Sequence, residues 1–214
     1  MFPSIAAETP PAPDIGRRER KKFQTRVGLM QAAIELFAER GYDNTTIGDI
    51  TEAADVSPRT FFRHFSSKED VLFPTPDDGP FLARVRDQPV RVNDIDAVRD
   101  AYLAMLPLSP EQVRRVLLLK KAMLAAPPLE GRNLIVQRRF RDHIAQALAD
   151  RRGLDVPDDP AIIAASVAQT VMQLAFDRWA EVDGRADLSA LLRDHFALVG
   201  HVMQPATTSS HGHR

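Results

Sequence analysis

Between Thr45 and Lys68 the chain gathers side chains suited to gripping a polyanion and reading the edges of bases. Arg59 and Arg63 carry planar guanidinium forks, which match the paired acceptors on guanine's major-groove edge and the oxygens of a phosphate. Thr60 offers a hydroxyl for a phosphate and a methyl for a thymine. Thr46, His64 and Lys68 suit phosphate clamping, Lys68 with the amide donors of a helix start beside it. Ser57 opens the segment that bears these groups, and Phe62 suits packing on sugar or a thymine methyl. Arg59, nearest the start of that segment, is the candidate base reader. Taken singly, Arg59 and Arg63 also fit a solvated helix face, and the hydroxyls fit simple helix caps.

Such side chains need a short, rigid carrier, and the local sequence supplies one. Thr45 or Thr46 caps a helix over 47–54. Ser57-Pro58 opens a second, with serine as cap and proline at the first position, where no amide donor is needed. Phe61 and Phe65, four apart, turn inward and aim Arg59, Thr60 and Arg63 outward. Two short helices joined by a tight turn form a helix-turn-helix, whose second helix enters a major groove. Upstream, Val27, Met30, Ile34 and Phe37 recur at spacings of three and four, an amphipathic helix that ends at Gly41. Ser66 or Ser67 caps a further helix beginning at Lys68.

The formal charge of −1 hides an asymmetry. Residues 17–68 carry ten Lys and Arg against seven Asp and Glu, while the rest of the chain carries eighteen against twenty-two. The sign favours nucleic-acid contact by the N-terminal part alone. The absence of cysteine from 214 residues excludes disulfides, thiol catalysis and cysteine-held metal, and fits a cytoplasmic protein. Residues 1–16 lack the basic-then-apolar pattern of a secretory signal, and no apolar run is long enough to span a bilayer. No Gly-rich phosphate loop, GxSxG elbow or HExxH motif occurs, so no catalytic residue, cofactor or metal is expected.

Breaks divide the chain into a proline-rich disordered leader (1–16), a helix-turn-helix domain (17–73), a linker or irregular segment (74–93), a helical domain (94–204) and a disordered tail (205–214). In the larger domain the periodicity predicts helices over 94–106, 110–125, 130–152, 160–182 and 188–203. No alternating apolar run makes a strand. The fold class is all-α.

The stretch from Thr25 to Leu72 resembles the N-terminal domain of the TetR family of bacterial transcriptional repressors. The matching residues are AAIELFAERGY at 32–42, TTIGDI at 45–50 and AADVSPRTFFRHFSSKEDVL at 53–72. The resemblance implies a homodimer whose two heads read a palindromic site of double-stranded DNA about 34 Å apart. It also implies that each head sits on a helical body that binds a small-molecule effector and that releases DNA on binding it. Three residues depart from the family pattern. Asp55 stands where glycine is common in the turn, Thr51 where alanine is usual, and Phe62 where tyrosine is frequent. The last loses a hydroxyl worth roughly 0.5–1.5 kcal/mol. Repressor and activator stay open, because operator position decides the sign.

By the same resemblance, the last two helices pack with their copies into a four-helix interface through Ile163, Val167, Val171, Leu192, Phe196 and Val199, although all could equally be intrachain core. An effector pocket is expected among the middle helices, where Tyr102, Met105, Leu117, Phe140, Met172, Phe176 and Trp179 offer an apolar lining; each also fits plain core. A fainter likeness of 59–71 and of Asp177-Arg178-Trp179 to regulators of the mycofactocin type suggests an acyl effector.

Overall fold

The computed structural model describes residues 16–73 and 79–202, and among these it contains helices and no strand. In chain order they are α1 (Arg17–Arg40), α2 (Ile47–Ala53), α3 (Pro58–His64), a single 3-10 turn (Glu69–Leu72), α4 (Gly79–Asp87), α5 (Asp94–Leu103), α6 (Pro110–Leu124), α7 (Pro127–Arg151), α8 (Asp159–Glu181) and α9 (Leu188–Val202). The expected disordered leader (Gly16 apart) and tail fall outside the described residues.

The head is α1 to the 3-10 turn. Thr46 begins α2 with a reciprocal cap: its hydroxyl accepts from Asp49 N at 3.1 Å, and Asp49 Oδ2 accepts from Thr46 N at 2.7 Å. Ser57 caps α3, accepting from Thr60 N at 3.2 Å, with Pro58 at the first position. Between the helices Asp55 sits at φ 52°, the left-handed conformation for which the family's glycine is suited. Thr51 is buried and turns its hydroxyl back to Gly48 O at 3.0 Å, so the extra polar atom is satisfied. Phe61 and Phe65 are buried in the same core as Met30, Ile34 and Phe37 of α1, which fixes the roll of α3.

The body packs around α8, which touches α5, α7 and α9. Its inner face is a row of alanines (Ala161, Ala164, Ala165, Ala168, Ala175) that lets neighbouring helices approach closely. Arg151, nearly buried at the end of α7, pairs with Asp94 and donates to Val92 O at 3.0 Å, locking α7 to the start of α5. At the turn into α9, Gly184 lies at φ 72°, and a Cβ there would come within 3.0 Å of Trp179 and Val113. Trp179 is buried beneath it, with Nε1 donating to Ala186 O at 3.1 Å.

Two expectations need correction. The segment 74–93 is not a linker throughout: α4 occupies its middle, burying Phe81, Leu82 and Val85 against α5 and α7. The helix expected from Lys68 is one 3-10 turn, capped by Ser67 Oγ accepting from Asp70 N at 3.2 Å. The left-handed turn makes a first test. Asp55→Val should lower unfolding stability by about 1–2 kcal/mol in urea titration, whereas Asp55→Gly should keep it. Equal stability of the two variants would contradict the strain assigned to this turn.

Candidate nucleic-acid interface and effector cavity

On α3 the outward residues are Arg59, Phe62 and Arg63, all exposed. Phe62 leaves 59% of its surface in solvent, although its ring meets Phe61 edge-on at 5.5 Å. Thr60 is half-buried, and its hydroxyl lies 3.0 Å from Ser57 Oγ. Anchored by Phe61 and Phe65 below, this helix presents a guanidinium, a ring and a second guanidinium along one edge. That suits base edges flanked by phosphate.

Two expected phosphate ligands are engaged elsewhere, and a third is half-buried. Lys68 points inward: Nζ donates to Tyr42 O at 2.7 Å and Thr45 O at 2.9 Å and lies 3.8 Å from the Tyr42 ring centroid. Burial pushes its pKa below the ordinary lysine value, with Asp43 pulling the other way. It ties the α1–α2 loop rather than presenting a cation at a helix start. Thr46 donates its hydroxyl to Asp49 Oδ2 at 2.6 Å, so its donor is committed to the cap. The Thr46 hydroxyl and amide in turn hold the Asp49 carboxyl below the usual range. His64 keeps Nε2 buried without a partner, and burial, then Arg63, Lys22 and Arg26, hold its pKa below 6.5. The shift favours the neutral ring over the charged one.

Other cations lie beside α3. Arg18, Lys21, Lys22 and Thr25, on the first turns of α1, line a cleft of about 540 Å³ together with Arg63. The basic run was visible in sequence. That it would share a groove with the recognition helix depends on the angle at which α1 crosses α3.

The body holds a cavity of about 330 Å³ between α6, α7 and α8, at the small end of the range for small-molecule sites. Tyr102, Phe140, Met172 and Phe176 line it as expected of an apolar wall, and Met123 joins them. Met105 and Leu117 instead pack against the protein core, and Trp179 is held beneath Gly184. Sequence reasoning missed the polar lining, which includes Lys120, Asn133, Gln137, Gln169, Gln173 and Asp177. Behind the floor, Phe81 of α4 stacks 5.3 Å from Phe140 and 4.8 Å from Tyr102.

On the outer faces of α8 and α9, Ile163 is 60% exposed, Val167, Val171 and Val199 are half-buried, and Leu192 and Phe196 are buried in the protomer's own core. A side chain already covered by its own chain has little surface left for a partner, so Leu192 and Phe196 are removed from the candidate interface. Leu174 is 47% exposed, and Leu198, absent from the expected set, is 54% exposed.

A basic helix-turn-helix set on a larger helical body is the layout of a DNA-binding transcriptional regulator. The family model for bacterial regulatory proteins of the tetR family matches residues 29–73, and the model for the MftR C-terminal domain matches residues 92–204. The chain is 34% identical over 194 residues to the HTH-type transcriptional regulator TcmR of Streptomyces glaucescens, spanning 86% of this chain and 84% of that one. It is 28% identical over 195 residues to the putative mycofactocin biosynthesis transcriptional regulator MftR of Mycobacterium tuberculosis, spanning 88% and 96%. Its fold matches that of NalD, the secondary repressor of the MexAB-OprM multidrug efflux pump in Pseudomonas aeruginosa. The TM-score is 0.52 at 24% identity, over 85% of this chain and 97% of that one. This chain belongs to the TetR family of bacterial transcriptional regulators.

The His64 site carries a pH signature. Its folded pKa is depressed, so below 6.5 the unfolded chain binds the proton more readily than the folded one. Stability therefore falls as pH drops from 6.5 toward the depressed folded value, and levels off beneath it. Thermal unfolding from pH 7.5 to pH 5 should show a steeper acid loss for the native chain than for His64→Gln. Parallel curves would remove His64 as the cause.

Proposed function

We propose that this protein is a dimeric repressor that binds a palindromic operator in the cytoplasm and leaves it when a small, largely apolar molecule enters the body. The observation that carries the reading is α3. Its inner aromatics are locked in the head, while Arg59, Phe62 and Arg63 stand free on the outside, with Arg18, Lys21 and Lys22 flanking them. Arg59 reads a base, and the flanking cations hold phosphates and set the register.

Dimerisation is supported by the apolar stripe left on the outer faces of α8 and α9. Ile163, Val167 and Leu174 fall on one face of α8, with Leu198 exposed on α9. Pairing these faces about a two-fold axis brings two heads to a two-fold DNA site. Effector response is supported by the cavity and by two ion pairs between body and head. Arg132 on α7 meets Asp70 of the 3-10 turn at 2.6 Å, and Arg114 on α6 meets Glu35 on α1 at 3.2 Å. An effector that favours one position of α6 and α7 shifts the population of head spacings, and only one spacing matches the operator.

Arg59→Ala should abolish preference for the cognate duplex while leaving weak, salt-sensitive binding, as measured by competition against random duplex. Full retention of sequence preference would refute the role given to Arg59. Leu174→Asp, which places a charge in the paired face, should give monomers in analytical ultracentrifugation and lower operator affinity at least tenfold. An unchanged dimer would place the interface elsewhere.

A further inference from the structure

The lining of the body cavity is uneven in its polar groups. Its apolar part is the floor of Tyr102, Phe140 and Met172 and a rim where Leu124 and Leu134 stand exposed. Among the described residues Lys120 is the sole cation in the lining, and it is already occupied. It is ion-paired with Asp177, whose Oδ1 also accepts from Gln173 Nε2 at 2.9 Å, and it lies 5.5 Å from the Phe176 ring centroid. Glu130 adds a second acid, so the lining carries one more negative charge than positive. Gln169 is likewise engaged, with Nε2 donating to Gln137 O at 2.9 Å. Asn133 differs from all of these. Its Oδ1 is buried without a hydrogen-bond partner. With no surface left for a water-sized molecule, that oxygen faces protein and offers the cavity no open acceptor.

We propose that the effector is an uncharged molecule whose apolar body fills the floor, and that the Lys120–Asp177 pair excludes carboxylates. The proposal rests on the reading of this cavity as the effector site. A carboxylate entering here must either take Lys120 from Asp177, leaving that acid unpaired, or lie beside two acids with no cation of its own. A neutral hydroxyl meets neither obstacle. A free acyl acid, one form of the acyl effector suggested by the sequence, is therefore disfavoured. Lys120 and Asp177 are the specificity-determining residues.

The test is equilibrium dialysis of the full chain at neutral pH against three probes of one skeleton: 2-naphthol, 2-naphthoate and 2-methylnaphthalene. 2-Naphthol should bind about tenfold or more tightly than 2-naphthoate. 2-Methylnaphthalene, which carries no charge, should likewise bind more tightly than 2-naphthoate. Asp177→Asn, nearly isosteric, frees Lys120 and should raise 2-naphthoate affinity by about tenfold. Naphthoate binding as tightly as naphthol to the native chain, or unmoved by Asp177→Asn, would overturn the proposal and leave the cavity reading standing. Met172→Trp fills the floor and should abolish binding of all three probes. Binding that survives it, or no binding of any probe to the native chain, would overturn the cavity reading itself.

Discussion

The geometry of the head hangs on one ammonium group. Lys68 donates to the carbonyls of Tyr42 and Thr45 and sits over the Tyr42 ring, joining the end of the helix-turn-helix to the loop that starts it. Those carbonyls lie where α1 has ended and α2 has not begun, so intrahelical bonds do not satisfy them. A cation there fixes the angle between α1 and α2, and α3 follows through the left-handed turn at Asp55. Tyr42 reinforces the closure by donating its hydroxyl to Glu69. The exposed face of α3 is thus held by contacts that lie wholly behind it, and the outward residues stay free for DNA.

From that closed head two links run to the body. The Arg114–Glu35 pair is largely exposed and worth little by itself; the packing of α1 on α6 carries most of the contact. The Arg132–Asp70 pair is more enclosed and comes from the first turns of α7. The next residue, Asn133, lies on the cavity wall. Consecutive positions on one helix thus face the head and the cavity. Any shift of the start of α7 is felt at both, which is the arrangement coupling between two sites requires.

Much of the head was legible because its signals are local. Thr46, Ser57 and Pro58 announce helix starts within four residues of the bonds they make, and Phe61 and Phe65 reveal the buried face by spacing alone. What escaped the sequence depends on contacts distant along the chain. Lys68 reads equally well as an outward clamp until the Tyr42 and Thr45 carbonyls, more than twenty residues away, claim it. The helix α4 was hidden by the proline and glycine cluster at its start, and its apolar residues span little more than one turn. In α8 and α9 apolar residues occur on both faces, so periodicity could not tell Leu192, turned inward, from Leu198, turned outward. Trp179 looked like a pocket wall, but Gly184 places the turn directly against its ring.

We propose that two copies of this head read a two-fold DNA site. This is tested most directly by selecting random duplex DNA with the purified full chain while recording the mass of the complex in solution. Enrichment of a palindrome with half-sites one helical turn apart, bound by a dimer, is the expected result. Absence of any enriched sequence, with binding that vanishes at physiological salt, would contradict it.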